Sequence, residues 1–272
     1  MGKQSSLGPE LYDKNYYLNS LPGLEHAENP EVIDEAVGDV IRVGNIKPGQ
    51  RILDFGCGRG TCAIALARYG CVVVGADFSQ DAVDFARGYL KRFPEDLQKR
   101  VSFLRLEMKN LGFEQEFDAV VLNQVYEHLQ DWELEVLMQK LKRALKPGGT
   151  LVISTPNLNY ERFLYPLKRM IELPFKAVKM VLRILRGKSK HSGSVSQFFG
   201  ELFKIQYPES EHTQLHINLQ TPGSIKQFME KQGFRVRVEC VDPHSNPISL
   251  ITRRWWGKTI WLSGTPYTIH RP

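Results

Sequence analysis

The sequence lacks any run of about eighteen uncharged apolar residues, the least that a bilayer-crossing helix needs. A transmembrane helix is therefore not expected. Cysteine is scarce: four in 272 residues, at Cys57, Cys62, Cys71 and Cys240. None stands in a C-x-x-C pair or at metal-ligand spacing, which argues against a disulfide scaffold or thiolate metal site and for free thiols in a reducing compartment. The opening MGKQSSLGPE has no apolar core, so no secretory leader is expected there and the location expected is cytoplasmic. Internal repeats and low-complexity tracts are missing too, and collagen and coiled coils are set aside.

Acidic residues run short in one place only. Between Glu161 and Lys190, nine cations face two carboxylates, a local charge of +7 that leaves −1 for the rest of a +6 chain. A basic surface spread over the whole protein, as nucleic acid requires, is thus missing, and no nucleic-acid partner is expected. On a helical wheel, Lys168, Arg169, Lys176, Lys179, Arg183 and Arg186 share an arc of roughly 100°, with Met170, Leu173, Val178, Val181 and Leu185 opposite. Pro174 splits the segment. Residues 160–190 therefore read as a basic amphipathic cap suited to an anionic membrane surface, which would make the protein peripheral at the membrane. Equally, such a helix can pack its apolar face over a pocket.

What the chain does have is alternation. Apolar runs at Arg51–Phe55, Cys71–Ala76, Val101–Leu106, Phe117–Leu122 and Thr150–Ser154 read as buried strands. Helical periodicity fills Glu31–Val43, Thr61–Tyr69, Gln80–Arg92 and Trp132–Leu145. Lys47-Pro48-Gly49 and Lys146-Pro147-Gly148-Gly149 read as stops. A helix at Gly223–Lys231 and a strand at Phe234–Val241 follow, with a final antiparallel strand expected in the last thirty residues. Strands alternating with helices predict an α/β fold, a mostly parallel sheet covered on both faces.

Chemistry concentrates where that sheet's strands end. The first βα turn reads Asp54-Phe55-Gly56-Cys57-Gly58-Arg59-Gly60. Glycines let the backbone approach a ligand, and the following helix offers free amides. The nicotinamide pattern G-x-G-x-x-G would need glycine at position 61, which is Thr61. An acid before the first glycine suits a cationic ligand end better than a pyrophosphate. Asp77 ends the second strand, where a carboxylate can accept both hydroxyls of a ribose. Glu107 and Met108 follow the third, and Asn123 and Gln124 close the fourth. His128 stands just beyond, at the crevice mouth.

These pieces, ILDFGCGRG (52–60), VVVGADFS (72–79), FDAVVLNQVYEHL (117–129) and LKPGGTLVIST (145–155), resemble the class I S-adenosylmethionine-dependent methyltransferases in order and spacing. The resemblance covers residues 51–155 and implies a Rossmann-like, doubly wound, mostly parallel seven-stranded sheet with an antiparallel last strand and a helical cap insertion. It implies S-adenosyl-L-methionine as cofactor, with Asp54, Gly56 and Gly58 at its methionine end and Asp77 at its ribose. Phe78 and Met108 would flank the adenine and Glu107 its amine, with Asn123 also on the cofactor. Residues 1–30 would form a lid segment, 31–156 the cofactor-binding core, 157–220 the basic helical cap and 221–272 the completion of the core sheet.

The pieces NQVYEHL (123–129) and ISTPN (153–157) look most like the ubiquinone-biosynthesis O-methyltransferases. Some of those hold a divalent metal with an acidic-acidic-histidine set at this place. Glu127 and His128 match it, but Gln124 stands where the first acid would be, and a neutral amide weakens a hard-cation site. No metal is therefore expected. His216 resembles the family's histidine before the penultimate helix, on the substrate side, so His128 and His216 are the candidate catalytic residues. His212 lacks the partners that a zinc motif needs. The expected reaction is O-methylation of a small or lipid-like acceptor. The family's D/N-P-P-F/Y/W signature is missing, since the fourth strand ends Leu122-Asn123-Gln124-Val125, which argues against base or amide nitrogen. An RNA or protein methyltransferase, or a regulatory module that holds the cofactor without turnover, are the alternatives.

Overall fold

The computed structural model describes residues 33–165, 216–241 and 258–267, and the statements below concern these. The residues expected to form the lid, most of the basic cap, and His212 lie outside them.

The strands are β1 (Arg51–Phe55), β2 (Val72–Asp77), β3 (Val101–Arg105), β4 (Phe117–Asn123), β5 (Leu145–Pro156), β6 (Phe234–Val241) and β7 (Thr259–Pro266). They form one sheet in the order β3-β2-β1-β4-β5-β7-β6. β1 to β5 pair in parallel, and β7 runs antiparallel to both β5 and β6. The mostly parallel seven-stranded sheet with an antiparallel last strand is thus the one expected.

Helices α1 (Ile33–Gly44), α2 (Thr61–Arg68) and α3 (Gln80–Leu90) precede the short α4 (Glu95–Gln98), α5 (Asp131–Ala144) and α6 (Pro222–Lys231). Because the sheet is covered on both faces, alternate residues of one strand enter different cores. Ile52, Val73, Ala119, Val121 and Val152 pack with α1, α2 and α3. Leu53, Val74, Val120, Leu122, Leu151 and Ile153 pack with α5 and α6. The continuous apolar runs have this as their cause.

Two boundaries differ from the sequence pattern. α1 stops at Gly44, where Asn45 turns left-handed (φ 49°), before Lys47-Pro48-Gly49 is reached. The second difference is larger. β5 runs through Lys146-Pro147-Gly148-Gly149, predicted as a break. Leu145 pairs with Phe117 and Thr150 with Ala119, so four residues bulge against one, Asp118. Gly148 (φ 79°) makes the turn, and Lys146 Nζ reaches Asp118 Oδ1 at 2.8 Å across the bulge.

At the sheet's far rim, α3 reaches over β3. Arg87 donates from Nε and Nη2 to the carbonyl of Phe103, at 3.2 and 2.8 Å. Topologically, the chain lays β2 and β3 on one side of β1 and β4 and β5 on the other. The carboxyl ends of β1 and β4 therefore flank the crevice where open parallel sheets bind ligands.

Candidate active site

Two buried carboxylates organise the crevice. Asp54 near the end of β1 is 1% exposed and Asp77 at the end of β2 is 4% exposed. Asp77 laces the glycine turn to its own strand: Oδ2 accepts from the Gly58 amide and Oδ1 from the Ser79 amide, each at 2.9 Å. The amides of Gly56 and Cys57 donate to the Ala76 carbonyl at 2.7 and 3.1 Å. Gly56 and Gly60 have φ of 77° and 78°. A Cβ on Gly56 would stand 2.5 Å from Val125, and one on Gly60 2.5 Å from the Phe103 ring. Conformation and packing alone thus require these glycines, and the sign of a ligand lies elsewhere.

Asp54 supplies it. Its Oδ2 is buried with no hydrogen-bond partner. Burial first, and the negative charge of Asp77 second, raise its pKa to about 7, against the pull of the Ala63 amide. A charge left uncompensated inside a protein is costly, and a cationic ligand end removes the cost.

A second cluster stands just past β4. Tyr126–His128 form a single 3₁₀ turn. The buried Tyr126 ring anchors it, edge-on to Phe228 of α6 with centroids 6.0 Å apart. Glu127 is fully buried, its Oε2 accepting from Thr155 Oγ1 at 3.1 Å while Oε1 has no hydrogen-bond partner. Burial raises its pKa to about 8, against its own amide and the Thr155 hydroxyl. The Glu127 carbonyl accepts from the amides of Ile217 and Asn218 at 2.9 and 3.0 Å. Those two bonds deliver the preceding residue, His216, onto the turn: its ring lies 5.2 Å from that of His128 at 68°. One ligand-type atom each from Glu127, His128 and His216 lies within 4.8 Å of the other two.

The expected residues divide accordingly. Asp54, Gly56, Gly58 and Asp77 share the first cluster, and His128 and His216 meet in the second. Contact between Gly56 and Val125 joins the two turns. Phe78 is half-buried beside Asp77, and Met108 opens a 3₁₀ turn after β3 and packs on the core. Glu107 is partnered away from the crevice residues: its carboxylate meets Lys109 Nζ at 2.6 Å and Arg105 at 3.7 Å, and these hold its pKa down. Asn123 Oδ1 accepts from Ser154 Oγ at 2.5 Å, tying that side chain to β5. Gln124, at φ 57°, is exposed and donates its side-chain amide to the same Ser154 hydroxyl at 3.2 Å. Sequence reasoning passed over Ser154 and Thr155, whose only signal was two hydroxyls closing an apolar strand.

A family model described as "Methyltransferase domain" matches residues 27–239. The chain belongs to this family. Its mostly parallel seven-stranded sheet with an antiparallel last strand is that of the class I S-adenosylmethionine-dependent methyltransferases it resembles. This methyltransferase is 29% identical over 119 residues to the ubiquinone biosynthesis O-methyltransferase of Coxiella burnetii, a match covering 44% of the chain and 49% of that enzyme. To the human mitochondrial protein of the same name it is 38% identical over 111 residues, covering 40% of the chain and 29% of that protein. The chain therefore spans about half or less of the length of these curated relatives. Its fold resembles that of a methyltransferase solved in complex with the Trm112 methyltransferase activator of Haloferax volcanii. There the TM-score is 0.60 at 16% identity, over 97% of the chain and 100% of that one.

Proposed function

We propose that the protein transfers a methyl group from S-adenosyl-L-methionine to an oxygen of a small or lipid-like acceptor. The observation that carries the reading is the orphaned carboxylate oxygen of buried Asp54 beside Asp77, a seat for one cation and a polar sugar. When bound, S-adenosylmethionine supplies a methyl group on a sulfonium, a carbon already activated for displacement.

The chain's own residues then bind and orient. Asp54, with the backbone of Gly56 and Gly58, holds the ammonium end. Asp77, whose oxygens accept the Gly58 and Ser79 amides, receives the ribose hydroxyls on the same carboxylate. Phe78 and Met108 border the adenine. Glu107 can reach the adenine amine only by giving up Lys109. His128 and His216 face the acceptor, and a neutral imidazole there takes the proton of a hydroxyl that is not already ionised. Holding the acceptor oxygen about 3–3.5 Å from the methyl carbon and excluding water supplies much of the rate.

The test is transfer of labelled methyl from S-adenosylmethionine into extracted metabolites, with calorimetry on S-adenosylhomocysteine. A labelled, base-stable ether in the lipid or small-molecule fraction is the expected product. Label in RNA or protein alone would overturn the acceptor class, and no binding at millimolar S-adenosylhomocysteine would overturn the whole reading.

The basic amphipathic pattern of residues 160–190 supports an anionic membrane as the second partner, so that a lipid-soluble acceptor enters beside the crevice. Vesicles containing phosphatidylglycerol should float the protein, and neutral phosphatidylcholine vesicles should not. Changing Lys176, Lys179, Arg183 and Arg186 together to Gln should bring anionic vesicles down to the neutral level; unchanged flotation rejects the membrane reading.

A further inference from the structure

We propose that the open flank of β6 pairs with β6 of a second copy of this chain, antiparallel about a two-fold axis at Val238, so that two sheets become one. The inference rests on the fold and not on the methyl-transfer reading.

β6 ends the sheet on the side opposite β3. Two backbone bonds fix which way its polar groups point. The Tyr267 amide donates to the Gly233 carbonyl at 2.9 Å, and the Asn157 amide donates to the Lys258 carbonyl at 3.0 Å. Even-numbered residues of β7 therefore bond β5, and its odd-numbered residues bond the odd-numbered residues of β6. The amides and carbonyls of Val236 and Val238 are left turned outward, and among the described residues no backbone group or side chain meets them. At the other rim Arg87 fills the Phe103 carbonyl, and nothing equivalent reaches Val236 or Val238. Both valines are half-buried. Bare polar groups beside half-covered apolar side chains make a template for another strand.

Charge decides which strand. On the face turned toward α1, β6 carries Arg235, Arg237 and Glu239, the last held by Arg42 of α1. When a strand pairs antiparallel with its own copy, moving the axis by one residue changes every cross-strand pair. With the axis at Val238, Arg237 faces Glu239 of the second copy, and the symmetry makes that pair twice. Val238 then faces Val238, and Val236 faces Cys240. An axis at Arg237 sets that arginine against itself, one at Glu239 sets that acid against itself, and one at Val236 sets Arg235 against Arg237. Only the axis at Val238 joins opposite charges without setting like charges together. The Arg237 side chain is 83% exposed and meets Glu239 of its own strand only at 3.8 Å, so it can turn to the carboxylate directly across. Charges on an edge strand ordinarily hold neighbours off. Here the two signs are spaced so that the strand complements its own reverse. β6 runs parallel to β1, and its copy runs the other way, so the two crevices open toward opposite ends of the joined sheet.

The test is sedimentation equilibrium of the full chain between about 1 and 100 µM, with S-adenosylhomocysteine calorimetry on every sample. The wild type should pass from monomer to dimer as its concentration rises. Arg237→Glu and Glu239→Arg should each weaken that association at least about tenfold, because two attractive pairs become two repulsive ones. An equimolar mixture of the two variants should recover it, since in the mixed dimer every charged cross-strand pair again joins opposite signs. On oxidation, Val238→Cys should cross-link to itself, its Cα atoms standing about 5.5 Å apart across the axis. Arg235→Cys, about 20 Å from its own copy, should not. Unchanged circular dichroism and retained S-adenosylhomocysteine binding certify each variant. A wild type that stays monomeric at about 100 µM, association unchanged in both charge variants, or a mixture as weak as either variant alone would each overturn the pairing. A monomer that still binds S-adenosylhomocysteine leaves the methyltransferase reading intact and the β6 edge to a strand of another protein.

Discussion

Asp54→Asn is expected to make the protein more stable and unable to hold its cofactor. In the folded chain burial raises the pKa of the Asp54 carboxyl to about 7, against an ordinary value of 3.8. Between those values the folded state binds the proton and the unfolded state does not. Stability contributed by this group is therefore complete below about pH 4, falls as pH rises through 7 and stays lost above. The rise from 3.8 to about 7 corresponds to roughly 4 kcal/mol of stability lost across that range. Asn keeps an acceptor for the Ala63 amide and removes the charge. Urea unfolding should thus find the variant close to the wild type near pH 4.5 and stabler by a few kcal/mol near pH 8. A ligand ammonium reverses the logic, because it favours the ionised carboxylate. Wild-type S-adenosylhomocysteine affinity should climb with pH toward about 7 and then level off, with a proton released on binding below that point. A flat affinity profile between about pH 5.5 and 8 contradicts the assignment of Asp54 to the ammonium.

The second large effect is on Asp77. Replacing it by Ala removes charge-assisted bonds to the ribose and also the bonds to Gly58 and Ser79 that hold the glycine turn. The former should cost about 1.5–3 kcal/mol of S-adenosylhomocysteine affinity, roughly 10- to 150-fold. The latter should show as a lower melting temperature. Asn at 77 separates the two, since its single carbonyl keeps an acceptor for one amide and gives up the charge on the sugar. If Ala lowers the melting temperature and leaves affinity unchanged, Asp77 is structural and the ribose lies elsewhere.

Most of the architecture was legible because a sheet buried on both faces has to be written in uninterrupted apolar runs, such as Ile52-Leu53 and Val73-Val74, whose neighbours enter opposite cores. The glycine turn after β1 was equally plain, since glycines and strand-end acids are local signals. The β5 bulge was hidden because Pro147 and the glycines around it look identical in a loop and in an interrupted strand, and only the pairing of Leu145 with Phe117 tells them apart. His128 and His216 were both expected on the acceptor side, but the contact of His216 with Glu127 could not be read. It depends on two backbone bonds to one carbonyl, and backbone bonds leave no trace in side-chain identity. Glu107 shows what spacing alone leaves out: its place after β3 is as expected, and the two cations that its carboxylate meets, Arg105 and Lys109, each stand two residues away.

The reach of Arg87 over β3 has a consequence for how the protein lives among copies of itself. β3 ends the sheet, and its odd-numbered residues turn their amides and carbonyls away from β2, where Leu106 and Arg100 make the pairing bonds. Such a rim is a template on which any passing strand can grow. By taking the Phe103 carbonyl with two donors, Arg87 removes the central rung of that template and places a charge where a neighbouring backbone would have to lie. The guard works through one side chain from the next-door helix, so the apolar residues that β3 needs for its core remain in place while its open flank resists aggregation.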